Sequence, residues 1–156
     1  MRTIDDLIER EGGLVNDAND RGGVTKYGIS SRSYPALDVA AITKEDARDI
    51  YFEDFWRPCC CDQIASQLVA NLLFDFAVNT GVKRSIKTLQ KCLSVAVNGF
   101  IGPITIAAIN DADCELIALR FTVLRIDYYS RLAAKKKSQR KFLHGWINRA
   151  IDALND

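Results

Sequence analysis

Histidine and proline are scarce in this sequence, with one histidine, His144, and three prolines among 156 residues. Five cysteines are present, an odd number, and Cys59, Cys60 and Cys61 are consecutive. That pattern suits neither a disulfide framework nor the paired spacing of a zinc site, so reduced thiols are expected, and no metal or cofactor. Long apolar runs are also missing. Asp75, Arg120 and Arg125 interrupt the most hydrophobic stretches too early for a bilayer span. The first residues, Met1 to Glu11, carry charges throughout and contain no apolar core of a secretory signal, so synthesis in the cytoplasm is expected. Low-complexity tracts and internal repeats are absent. Nine glycines and 48% apolar residues place the chain among ordinary globular proteins rather than disordered ones.

What is present is unevenly distributed. Met1–Asp75 holds 8 basic and 14 acidic residues, whereas Phe76–Asp156 holds 13 and 6, although the net charge of the whole is only +1. A basic C-terminal half points to a polyanionic partner: an anionic wall polymer, a membrane surface or a nucleic acid. The run Lys135 to Lys141 reads as a solvated connection or as a contact for anionic envelope components.

Periodicity predicts a chain that is almost entirely helical. Thr3 is placed to cap a first helix whose stripe of Ile4, Leu7 and Ile8 continues to Glu11, which sets that carboxylate on the core-facing side. Gly12-Gly13 ends the helix, and a turn-rich loop follows from Asn16 to Gly23, then a short extended piece from Thr25 to Ile29. A second helix starts at Thr43, with Asp46 completing a capping box, and stops before Pro58. A third, roughly Gln63 to Asn79, is apolar nearly all round, as befits a helix through the middle of a domain. Val82 to Leu93 is amphipathic, Pro103 opens a short helix, Asp113 caps a long one to about Leu132, and a last begins near Ser138. No strand pair is expected outside the loop region.

Chemistry centres on the first of these helices. Cleaving a glycosidic bond takes one carboxylic acid held protonated to donate to the leaving oxygen, and a polar group across the ring to handle water or the developing cation. Glu11, at the end of an apolar face, fits the acid if desolvation favours its neutral form. Asp20 lies on a polar loop where it should stay ionised, and Asp17 competes for the same role.

The residues that carry these roles also carry a resemblance. Glu11 to Ile29, Tyr51 and Trp56, and Asp75-Phe-Ala-Val-Asn-Thr-Gly81 resemble glycoside hydrolase family 108, lysozyme-like muramidases of phages and bacteria. Val97 to Ile109 and Phe142 to Arg149 resemble the predicted peptidoglycan domain that accompanies it, so the likeness covers nearly the whole chain. It implies an all-α lysozyme-like fold, with residues 1–90 as the catalytic region and residues 91–156 as a helical peptidoglycan-domain-like region. It further implies Glu11 as catalytic acid, and a more distant likeness to phage-type lysozymes implies Asp20 as second carboxylate, Thr25 as the residue positioning water, and inversion at the anomeric carbon. The chain departs from the family pattern at Ala18 and Arg21, where prolines are usual, and at Asn98, where an Asp is usual.

For the remaining candidates two readings stand. Asp75 and Asn79, one turn apart on an apolar helix, either pair internally or line the cleft; substrate contact is the expectation adopted. Tyr27, Tyr51 and Trp56 either stack on sugar faces or belong to the core, with Tyr27 taken as a substrate contact. Phe142 and Trp146 are read as packing. Function is then expected to be hydrolysis of the β-1,4 bond between N-acetylmuramic acid and N-acetylglucosamine, by a monomer that binds peptidoglycan glycan strands and no nucleic acid. It would act as a phage or prophage endolysin released through a holin-type pore. Lytic transglycosylation and a non-catalytic wall-binding or secretion-accessory role are the alternatives. A DNA-binding role lacks any recognition-helix pattern.

Overall fold

The computed structural model describes residues 2–14 and 23–155. They are predominantly helical, with seven α-helices and one two-stranded sheet among the described residues. The all-α fold class expected from the sequence is what is observed. No described helix is long and apolar enough to cross a membrane. The chain divides into two compact units, residues 1–54 and 55–156.

In the first unit, helix α1 (Arg2–Glu11) presents Ile4, Leu7 and Ile8, all buried, and packs on α2 (Lys44–Tyr51), whose Ala47 and Tyr51 are buried. Helix α1 already includes Thr3, so that residue lies inside the first turn rather than at the cap expected for it. Arg48 of α2 donates from Nε and Nη2 to Asp5 at 2.8 and 2.5 Å. Both partners are about two-fifths exposed, so solvent screening leaves this pair a minor stabiliser. Thr43 caps α2 as expected: its hydroxyl accepts from the Asp46 N–H, and the Asp46 carboxylate accepts from the Thr43 N–H at 2.7 Å. Between these helices β1 (Thr25–Lys26) and β2 (Ile29–Ser30) form an antiparallel hairpin, with Thr25 opposite Ser30 and Lys26 opposite Ile29. A single π-helical turn, Phe52–Trp56, continues α2 toward Pro58.

The second unit is built around α3 (Gln67–Thr80), of which Val69, Ala70 and every residue from Leu72 to Ala77 are buried. Its start falls later than expected because residues 61–63 form a 3-10 turn and Ser66 supplies the cap. Helix α4 (Val82–Cys92) turns back from Gly81, running across the position near residue 90 where the sequence reading divides the chain. Pro103 opens α5 (Pro103–Asp111), and the Asp113 carboxylate caps α6 (Cys114–Lys135) by accepting from the N–H groups of Glu115 and Leu116. A 3-10 segment, Lys137–Phe142, leads the chain into α7 (Leu143–Asn155). Helices α4, α6 and α7 all pack against α3 or each other, and the aromatic rings of Phe76, Phe121, Tyr129 and Trp146 bind this core together in edge-to-face and stacked contacts. Phe142 lies 5.8 Å from the Trp146 ring, in the packing role read from the sequence.

Candidate active site

The site takes shape where α1 ends. Gly12 adopts φ +76, the left-handed conformation that closes many helices, and its N–H still reaches the Ile8 carbonyl at 3.2 Å. The Gly12 carbonyl then accepts the Tyr27 N–H at 3.0 Å, tying the helix end to the tip of the hairpin. That tip is Tyr27-Gly28, and both residues have positive φ, +53 and +77, as a two-residue hairpin loop with the right twist requires. Glycine tolerates this freely, whereas a tyrosine there carries about 1–3 kcal/mol of strain unless its surroundings hold it. The surroundings do hold it: the Tyr51 hydroxyl donates to the Tyr27 carbonyl at 2.9 Å, so both backbone polar groups of Tyr27 are fixed.

Glu11 is the last residue of α1 and lies over this turn. A Cβ on Gly28 would stand 2.9 Å from Glu11 Cγ and 2.5 Å from Tyr51 Oη. Only a glycine at 28 therefore lets the glutamate stem and the phenol hydroxyl occupy their places. The core-facing setting expected for Glu11 is corrected here. The apolar stripe of α1 is spent at Ile8, one turn earlier, and Glu11 is exposed at the edge of the unit. Its side-chain stem lies against the turn rather than in the core.

Of the other expected catalytic residues, Asp17 and Asp20 lie outside the described residues. Thr25 is half-buried on β1, two residues before Tyr27. Tyr27 is also half-buried, with the Lys26 ammonium 5.5 Å from its ring centroid. Glu11, Thr25 and Tyr27 are thus brought into one assembly of helix end and hairpin.

Asp75 is placed quite differently. It is 7% exposed, and both carboxylate oxygens are engaged: Oδ2 by Arg125 Nη2 at 2.5 Å and Oδ1 by Arg149 Nε and Nη2 at 3.0 and 2.9 Å. One carboxylate on α3 thereby joins two guanidinium groups, on α6 and α7. The structure takes the internal-pairing side of the alternative left open by the sequence, and the expected substrate contact at Asp75 is replaced by a structural one. Asn79 is exposed, and its amide donates to the Asp75 carbonyl one turn back at 2.7 Å. Tyr51 and Trp56 are buried, 3% and 5% exposed, which assigns them to packing rather than to sugar stacking. Trp56 donates from Nε1 to Asp62 at 2.8 Å and meets Phe74 edge to face.

Sequence reasoning passed over two further organising groups. Gln90 is fully buried and uses both amide hydrogens and its oxygen on the following loop: Nε2 donates to Asn98 Oδ1 and the Phe100 carbonyl, and Oε1 accepts the Gly99 N–H. Asn98 also accepts the Phe100 N–H, so it shapes this turn and is no acid. Tyr34 donates to Asp54 at 2.7 Å, and burial together with that carboxylate pushes its phenol well above the ordinary range. Gln90 had a signal in retrospect, a polar residue on the apolar stripe of Ile86, Leu89 and Leu93; Tyr34 had none.

The family model described as glycosyl hydrolase 108 matches residues 4–81, and one described as a predicted peptidoglycan domain matches residues 84–151. Among solved structures the chain is similar to one titled "Structure of Brucella abortus SagA", with 27% identity, a TM-score of 0.77, and coverage of 99% of this chain and 95% of that one. No curated protein sequence matches.

Proposed function

The chain belongs to glycosyl hydrolase family 108, and from that premise we propose that it is a lysozyme that hydrolyses the β-1,4 bond between N-acetylmuramic acid and N-acetylglucosamine, with Glu11 as its general acid. Family membership makes it a glycoside hydrolase, and the second matched region makes peptidoglycan its partner. The observation that carries the proposal is the fixing of the α1 terminus to a strained turn. The backbone that carries the exposed Glu11 is anchored through Gly12, Tyr27 and Tyr51, which supports a side chain presented from a fixed helix end.

In this reading Glu11 gives its proton to the bridging oxygen as the bond from that oxygen to the muramic C1 breaks. A water oxygen bonds to C1, and its proton passes to a carboxylate for which Asp20 is proposed, with Thr25 orienting the water and Tyr27 contacting the sugar. The products are a reducing muramic end and a free 4-hydroxyl on glucosamine. The likeness to phage muramidases extends the proposal to an endolysin's role, with cytoplasmic synthesis and holin-type release.

The test is the chemistry of the new ends. Purified sacculi are digested, reduced with borohydride and analysed by mass spectrometry. The proposal expects muramitol ends. Anhydromuramic ends would assign transglycosylation, glucosaminitol ends would assign the other glycosidic bond, and no released fragments would overturn the proposal altogether.

A further inference from the structure

The second unit carries a groove of about 640 Å³ between α4 and α6, and among the described residues that line it none is Glu11, Thr25 or Tyr27. Among the described residues its walls hold Lys83, Arg84, Lys87, Lys91 and Arg131, against one lining carboxylate, Asp127. Asp127 is already engaged by Arg131 at 2.9 Å, so among the described residues the four cations on α4 face no other lining carboxylate. A concave surface of one sign concentrates its field and selects anionic ligands.

Several of these cations are positioned. Gly99, buried at φ +85, lies so close to α4 that a Cβ there would meet Lys83 Cγ at 2.8 Å and Lys87 Cε at 3.1 Å. The lysine stems are laid against the loop that Gln90 holds, which reduces the rotamer freedom lost on binding. The Lys83 ammonium stands 5.9 Å from the Phe100 ring, and the Arg84 guanidinium 4.6 Å from that of Tyr128. Lys83, Lys87 and Lys91 recur every four residues, so their attachment points are about 6 Å apart along the helix.

We infer that this groove is an accessory site for the carboxylate-bearing peptide stems of peptidoglycan. The inference rests on peptidoglycan being the partner of this chain. Within that polymer the carboxylates are concentrated on the stems, while the N-acetylglucosamine units are neutral. An extended peptide advances about 3.3–3.6 Å per residue, so carboxylates two residues apart, about 7 Å, recur near the spacing of the lysine row. The groove thereby recognises peptide-substituted wall and discriminates against a neutral chitin-like glycan of the same linkage.

The probe is the monomeric disaccharide-tetrapeptide, which lacks the bond proposed for cleavage, so binding is measured by calorimetry independently of turnover. Wild-type protein is expected to bind it, with affinity falling as salt rises, and to bind the same molecule with its stem carboxylates amidated about tenfold more weakly. Triple Lys83→Gln/Lys87→Gln/Lys91→Gln protein should show a similar loss, and the corresponding triple arginine protein should retain binding. The amidated ligand makes the test on unaltered protein, so misfolding of a variant cannot obscure it. Equal affinity for the two ligands would overturn the inference, as would binding to vesicles of anionic phospholipid with none to the muropeptide. Absence of glycan cleavage would defeat the lysozyme reading and leave this binding result standing.

Discussion

Glu11 and Tyr51 share one glycine: a Cβ at position 28 would lie 2.9 Å from the glutamate Cγ and 2.5 Å from the tyrosine Oη. The end of α1, the hairpin tip and the last residue of α2 therefore meet at a single backbone position. The proposed acid owes its place to that meeting.

Gly28→Ala is expected to disturb both neighbours at once. The new methyl collides with them, and φ +77 strains any residue other than glycine. Glycan cleavage should fall by about tenfold or more, on the scale by which misplacing a catalytic group slows a reaction, while far-UV circular dichroism stays native. An alanine variant of full activity would show that the convergence does not matter.

Tyr51→Phe removes only the hydroxyl that donates to the Tyr27 carbonyl. The bond is partly buried, and its loss should cost about 1 kcal/mol in denaturant unfolding. Release of the strained turn should also reduce turnover several-fold. Unchanged stability and turnover would place the hydroxyl outside the device.

Asp75→Asn leaves Arg125, wholly buried, and Arg149 without their shared counter-charge. Breaking a buried ionic cluster by removing one partner costs about 3–5 kcal/mol, so equilibrium unfolding should shift by that much. A merely substrate-contacting residue would instead raise KM and leave unfolding unchanged.

Asp46 gives a pH signature. The backbone N–H of Thr43, and then its hydroxyl, hold the Asp46 carboxyl below the usual carboxylate range. A depressed folded value means that its contribution is fully present above the unfolded pKa of about 4 and is lost as pH falls through the folded value. The difference in Tm between wild type and Asp46→Asn should therefore be constant near neutrality and shrink in acid. A difference independent of pH down to 2 would contradict this.

Thiol reactivity should follow exposure. Cys114 is exposed, whereas Cys59, Cys61 and Cys92 are buried. The Cys59 contact and burial raise the Cys61 thiol, and burial pushes Cys92 up to about 11, leaving little thiolate at pH 8. Iodoacetamide should label Cys114 first in native protein, by peptide mass analysis, and the buried three only after unfolding. Simultaneous labelling of all would refute this burial pattern.

Much of the fold was legible because its signals are local. Thr43 with Asp46, and Asp113, mark helix starts through groups that bond within one turn, Pro103 does so through its fixed φ, and the helices begin where these residues place them. The exposed setting of Glu11 was not legible, since a helical stripe tells which face points inward and not where the core runs out. Asp75 was ambiguous for a related reason. Its arginine partners stand 50 and 74 residues away, and only tertiary packing brings them to it. Tyr27 could be singled out as an aromatic near the proposed acid, but its φ of +53, the feature that fixes the turn, has no sequence mark beyond the glycine that follows it.

The most direct test of the account is clearing of purified peptidoglycan by Glu11→Gln protein beside the wild type, with native circular dichroism required of both. The substitution keeps the size of the side chain and removes the proton it would donate. The account predicts clearing by the wild type and its loss in the variant; equal clearing by both proteins would contradict it and remove Glu11 from the mechanism.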